Sequence, residues 1–250
     1  MTINIFCDAS IDTNLKIACG GCVLVMQDEI NNHINDDYNI ISKRLIIQKD
    51  ATNNSSEILA IWAGVVEALR IRNIYPGAIL RLFSDSKISL YGLRDWMKNW
   101  IINSNGNPIL ISSSGTPVMN QQKFIDIFNL IIENNLRIEL YHQRGHVTDG
   151  KVSLDMARSQ FIKANKVPPE RLGRGIDINY LSFYNNLIDN MTREAVKLYV
   201  SNGAIMDGVE VEGSNPMIYT ARRDKLHQYI RCIDKTTIKS HHDFKGGYNQ

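Results

Sequence analysis

Residues 52–60 read TNNSSEILA, and the order of types in that stretch is unusual. Two asparagines precede a glutamate, and the glutamate then leads an apolar run, where an acid normally faces water. Downstream, Ile58, Ile61, Val65 and Leu69 recur at helical spacing, so residues 55–72 are predicted to form a helix packed on a core. Glu57 is expected in its first turn, where the helix dipole favours an acid. On its own that reading suffices. It gives way only when the other acids of the chain are placed.

The helix sits in an informative order of elements. TINIFCD (2–8) alternates and ends on an acid, as a buried strand does. IACGGCVLVMQ (17–27) is a second strand, with Gly20 and Gly21 suited to a bulge or a close backbone approach. A third strand is expected near 38–48. After the helix come a short apolar strand (78–84) followed directly by Asp85, two short helices within 86–103, a polar loop (103–118), a helix (119–134), a strand (136–142) and a helix (about 151–165). Antiparallel opening strands followed by βα units imply an α/β fold with a mixed sheet and helices packed on it. Val167-Pro168-Pro169 closes this unit. The expected organisation is a catalytic domain at 1–167, a linker at 168–177, and a helical C-terminal extension at 178–250. The extension holds a helix at 178–201, a weaker helical pattern near 217–232, and a disordered basic tail.

Composition sets the limits. The chain has 250 residues, 44% hydrophobic and 22% charged, which is ordinary for a soluble globular protein. A net charge of +2 means that any nucleic-acid surface must be local. No basic stretch leads into an apolar run at the N-terminus, so no signal peptide is expected. No window approaches the roughly 18 uncharged apolar residues of a membrane helix. Cys19 and Cys22 form a lone CxxC inside a strand-like run and are read as small core residues rather than a metal or redox pair. Reduced thiols suit a cytoplasmic setting.

Asp8 ends the first strand, Asp85 follows the fourth, Glu57 heads the long helix, and Asp155 begins a later one. If the first and fourth strands are parallel neighbours, Asp8 and Asp85 emerge at one edge of the sheet, where open sheets bind ligands. Carboxylates converging there repel one another unless cations intervene. Hard oxygen ligands select Mg2+ or Mn2+. Two such ions about 4 Å apart can drive in-line attack on a phosphodiester.

At this point the sequence resembles type 1 ribonuclease H, within the ribonuclease H-like superfamily, collinearly over residues 2–165. IFCDAS resembles the family's first-strand D-G-S, with Ala9 in place of glycine, and GGCVLV resembles its glycine-led second strand. TNNSSE resembles the T-N-N-x-x-E block, and LFSDSKISLYGLRDWMKNW the D-S segment with both tryptophans. SSSGTPVMNQQKF resembles the S-x-G-x-P-V-x-N stretch, and YHQRGHVTDGKVSLDMAR the strand, G-H loop and final D-x-x-A helix. The resemblance implies a ribonuclease H-like mixed five-stranded sheet flanked by helices, two Mg2+ ions with Mn2+ as a substitute, and hydrolysis of the RNA strand of an RNA/DNA hybrid to 5′-phosphate and 3′-hydroxyl ends. It makes Asp8, Glu57, Asp85 and Asp155 the metal ligands, with Asp149 as a rival to Asp155. His146, after Gly145, matches a mobile histidine that helps the leaving group or product depart. Asn53 and Asn54 match residues that reach the minor groove of the hybrid, the alternative being an N-cap pair. Thr52 matches a DNA-phosphate contact, Lys87 lies near the RNA backbone, and Trp96 and Trp100 fall where the DNA channel runs, unless they are mainly core. The setting implied is the cytoplasm of a bacterial or phage-infected cell.

The sequence also departs from the family. Asp155 lies nine residues after His146 where about ten are common, and the segment IINSNGNPILISSSG has no basic residue where some members carry a basic protrusion. The stretch 218–239, with Arg222, Arg223, Lys225, Arg231, Lys235 and Lys239 interleaved with Tyr219 and Tyr229, is expected to replace it as an electrostatic grip. On that expectation, deleting 171–250 raises KM and flattens its salt dependence. Two other functions stay open: a nuclease of this fold acting on DNA (a resolvase or exonuclease), and a hybrid-binding module with a decayed site.

Overall fold

The computed structural model describes residues 1–27, 39–105, 109–147, 152–203, 209–212 and 223–233. Strands β1 (Thr2–Asp12), β2 (Ile17–Gln27) and β3 (Ile40–Gln48) lead into helix α1 (Asn53–Ile74). Then follow β4 (Ile79–Ser84), α2 (Lys87–Tyr91), a π-helical turn (Gly92–Trp96), α3 (Met97–Asn103), α4 (Gln121–Glu133), β5 (Ile138–His142) and α5 (Leu154–Asn165). A 3-10 turn (Pro169–Leu172) precedes α6 (Ile178–Asn202), β6 (Val209–Val211), a second 3-10 turn (Arg223–Lys225) and α7 (Leu226–Ile233).

The sheet is mixed, in the order β5-β4-β1-β2-β3-β6. β1 pairs antiparallel with β2 and parallel with β4, and β4 pairs parallel with β5. Six strands stand where five were expected. The sixth is the three-residue β6, which the C-terminal extension adds in parallel to the edge strand β3. It is too short to carry an alternation that a sequence reading could find.

Strand alternation sends residues to two cores. One face of the sheet, with Ile3, Ile5, Cys7, Cys22 and Leu24, packs under α1, α4 and α7. The other, with Phe6, Cys19, Val23 and Val25, packs under α5 and α6. Cys19 and Cys22 thus point to opposite faces and cannot grip one ion, and burial pushes the Cys19 thiol up to about 12. Tyr184, Phe6, Phe83, Tyr141 and Phe161 form a row of stacked rings across β1, β4 and β5, with successive centroids 5.1, 5.0, 5.4 and 6.2 Å apart. That row ties α6 at one end to α5 at the other.

The glycines of β2 mark close approach. A Cβ at Gly20 would lie 2.8 Å from Ser56 O and 2.9 Å from Ala60 N, so the α1 backbone rests directly on the sheet there. The break in β2–β3 register falls instead between Leu24 and Val25. The C-terminal segment is also bound to the core. Tyr229 of α7 lies 4.8 Å from the Phe128 ring, and its hydroxyl donates to Leu93 O at 2.9 Å. Tyr229 is therefore a core residue and not part of a basic surface, while Arg231 on the same helix is exposed. Among the described residues no helix is long and apolar enough to cross a membrane.

Candidate metal and active site

The TNNSSE stretch builds the end of α1 on which the site rests. Thr52 is the N-cap: its hydroxyl accepts from Ser55 N at 3.1 Å, and Ser55 Oγ accepts from Thr52 N at 2.8 Å. This reciprocal box satisfies two end donors without either asparagine. Asn53 and Asn54 are exposed, their amides not spent on capping. Because the helix begins at Asn53, no acid lies in its first turn, and Glu57 stands one turn deeper than expected. With α1 pressed onto β2 at Gly20, the partner of Ala9, that turn sits beside Asp8, which lies within β1 rather than ending it because antiparallel pairing with β2 carries the strand on to Asp12.

Register brings the other two acids there. Cys7 pairs with Ser84 across β1 and β4, so Asp8 and Asp85 follow side by side. One carboxylate oxygen from each of Asp8, Glu57 and Asp85 lies within 4.8 Å of the others. Asp8 is fixed at both oxygens: Oδ1 accepts from Ala9 N at 2.7 Å, and Oδ2 from Asn185 Nδ2 at 3.5 Å. Glu57 Oε2 is buried with no hydrogen-bond partner.

This is an unfavourable arrangement for bare carboxylates. Burial, then repulsion from Asp85 and Glu57, holds the Asp8 carboxyl well above the usual range. Burial, then Asp85 and Asp189, does the same to Glu57. Burial also raises Asp85, with His146 opposing it. An orphaned buried carboxylate oxygen among repelling hard donors is what a divalent cation would relieve, so these residues fit Mg2+ or Mn2+.

The loop after β5 closes against Asp85. His142 Nε2 lies 3.2 Å from Asp85 O, and burial pushes its imidazole down to about 4, so it is neutral near pH 7. Gly145 is buried, and a Cβ there would overlap Asp85 Oδ2. The glycine of the G-H loop is thus required by packing against the carboxylate itself. Gly145→Ala should move Asp85 or the loop and lower kcat by about a hundredfold, since an ångström of misplacement has that cost. Steady-state kinetics would check this, and a wild-type kcat would contradict it. His146 follows, exposed, with φ of 55°.

Asp155 is not brought into the group. It is exposed in the first turn of α5, whose cap is Ser153. Its rival Asp149 lies outside the described residues, as do Arg222, the side chain of Arg223, and the segment 234–250. Lys87 is exposed at the start of α2. The tryptophans separate: Trp96 is 39% exposed, whereas Trp100 is 9% exposed and packs edge-on against Phe124 at 5.0 Å. Sequence reading missed Asn185, Gln143 and Asp189 near the site. Isolated amides and an acid within a long helix give no local signal.

The family model for RNase H matches residues 1–160. The chain belongs to the ribonuclease H family. It is 30% identical over 125 residues to a ribonuclease H of Thermosynechococcus vestitus, covering 47% of this chain and 71% of that one. Among solved structures it is similar to LC11-RNase H1 in complex with an RNA/DNA hybrid, at TM-score 0.41 and 15% identity, covering 68% of this chain and 95% of the other. It is also similar to RNase H1 of Halobacterium salinarum NRC-1, at TM-score 0.37 and 15% identity, covering 65% and 98%. The long helix α6 begins beyond the matched region.

Proposed function

We propose that this ribonuclease H-family protein is a metal-dependent endoribonuclease of type 1 that hydrolyses the RNA strand of RNA/DNA hybrids, leaving 5′-phosphate and 3′-hydroxyl ends. The observation that carries the reading is the meeting of Asp8, Glu57 and Asp85 oxygens within 4.8 Å at one end of the parallel β1–β4 pair. Asp8, Glu57 and Asp85 would hold two Mg2+ ions, which when bound activate water and stabilise the departing 3′-oxygen. The protein's own part is to keep those carboxylates close and partly buried, with Asp8 held by hydrogen bonds at both oxygens. His146 lies close enough to Asp85 to oppose the effect of its burial, a place suited to aiding departure of the leaving group.

Recognition would fall to the exposed end of α1. The Asn53 and Asn54 amides both donate and accept, so they can read 2′-hydroxyls and base edges in the minor groove. Thr52 would meet the DNA backbone, Lys87 the RNA backbone, and Trp96 the DNA strand. The test is incubation of the full chain with Mg2+ and matched hybrid, duplex DNA, duplex RNA and single strands. Cleavage confined to the RNA of the hybrid is expected. Cut DNA would replace this reading with a DNA nuclease, and binding without cleavage would leave only a hybrid-binding module.

A further inference from the structure

We infer that α6, in the C-terminal extension, is a working part of the active site, with Asn185 as the residue that positions the Asp8 carboxylate. The inference rests on the proposed function for its context and on the following contacts for its content.

Four inward positions of β1 are met in turn by α6. Asn4 Nδ2 donates to Tyr180 Oη at 3.0 Å, and the Phe6 ring stacks on Tyr184 at 5.1 Å. Asp8 then meets Asn185, and Ser10 meets Asp189 at 3.4 Å and Thr192 at 3.0 Å. The match is geometric. The six residues from Asn4 to Ser10 advance about 20 Å along the strand and the twelve from Tyr180 to Thr192 about 18 Å along the helix, so α6 keeps pace with β1 over this whole stretch. The types match as well: an amide on a phenol hydroxyl at Asn4, aromatic over aromatic at Phe6, and polar over polar at Asp8 and Ser10.

The Asn185 amide has a second partner. Gln143 is 2% exposed, its backbone N–H donates to Ser84 O at 3.0 Å, and its Nε2 donates to Asn185 Oδ1. With Oδ1 occupied by that donor, Nδ2 faces Asp8 Oδ2; the reverse orientation would set oxygen against carboxylate and amine against amine. Ser84 is the residue before Asp85. The relay Ser84–Gln143–Asn185–Asp8 thus links Asp8 to the residue before Asp85, with the backbone and the side chain of Gln143 each making one of its hydrogen bonds. Each Asp8 oxygen accepts one N–H, which fixes the carboxylate plane and leaves a lone pair on each oxygen for a cation. Partners of this kind, one shell out from a ligand, alter metal affinity or activity about 10–100-fold when removed.

The test uses the full chain and the variant Asn185→Leu, similar in shape but with no donor. Its Mg2+ midpoint for hybrid cleavage should rise at least about tenfold, and Mn2+ affinity measured calorimetrically without substrate should fall in parallel. KM for the hybrid at saturating Mg2+ should be unchanged. Tyr180→Phe, on the same helix but away from Asp8, should leave both metal readouts at wild-type values, which separates positioning from general support by α6. Should Asn185→Leu not fold, Asn185→Ser, smaller and polar but too short to reach Asp8, carries the same expectation. A folded variant with wild-type Mg2+ midpoint and Mn2+ affinity would overturn the inference. The calorimetric comparison needs no turnover, so a wild type that binds Mn2+ yet cuts no hybrid would sink the proposed function while this comparison still decides the role of Asn185.

Discussion

Asp85→Asn should abolish cleavage and yet make the metal-free protein more stable. Asn matches Asp in shape, so the packing against Gly145 survives. The change removes a hard anionic ligand from a group of three, and the loss in kcat should be at least about a thousandfold, the scale on which single electrostatic groups at reacting centres act. Stability moves the other way because Asp85 raises the carboxyls of both Asp8 and Glu57 by repulsion. Removing that charge relieves both neighbours, so thermal melting in EDTA should occur at a higher temperature than in wild type. A variant that is inactive and also less stable would mean that Asp85 supports the fold, and would contradict its place in a repelling cluster.

Ending the chain after Val167 should yield a protein that does not fold. The sequence reading treats residues 168–250 as linker and appendage. In the structure α6 supplies much of the second core: Ile178, Leu181, Tyr184, Ile188 and Val196 are all buried there against Phe6, Val23 and Val25. At about 1.5–3 kcal/mol per large buried side chain, losing these five removes on the order of 10 kcal/mol. That is comparable to the whole stability of a typical protein, about 5–15 kcal/mol. The sheet face left bare would also be an aggregation surface. Circular dichroism of the soluble fraction is the measurement. A truncated chain with a cooperative melt and native hybrid cleavage would show α6 to be dispensable. The same argument bears on the expected electrostatic grip: it is better tested by neutralising exposed Arg231 within the full chain than by deletion.

How far the sequence revealed the site follows from what fixes each residue. Asp8 and Asp85 were legible because parallel pairing of β1 with β4 follows from the element order, and Glu57 because it leads the apolar run of α1, although β1 runs on past Asp8 to Asp12. Gly20 was legible as either a bulge or a close approach, and the α1 backbone against it decides for the second. Glu57 was placed one turn early because the Thr52–Ser55 box, rather than the Asn53–Asn54 pair, sets the start of α1. Trp96 and Trp100 could not be told apart: Trp96 ends the π-helical turn and Trp100 lies on the short helix that follows it, and only the packing of Phe124 decides which is covered. Asn185 and Gln143 were invisible for a further reason. Their roles depend on how α6 lies along β1, across a separation of 177 residues between Asp8 and Asn185.

If Asp8, Glu57 and Asp85 are crowded carboxyls that bind divalent cations, melting temperature with and without Mg2+ at two pH values will show it. Asp8, Glu57 and Asp85 hold their protons above the range of the unfolded chain, so the folded state binds more protons than the unfolded state above about pH 4. The stability they contribute is complete below that pH and is lost as pH rises through their raised values. His142, pushed down to about 4, acts in the opposite sense between that value and its ordinary range, so the quantity to read is the difference between Mg2+ and EDTA at each pH. Bound cations replace the protons, and the difference should grow from pH 5.5 to pH 8, reaching on the order of 5 °C at the higher pH with Mg2+ well above its Kd. A difference that is absent, or the same at both pH values, would contradict the claim.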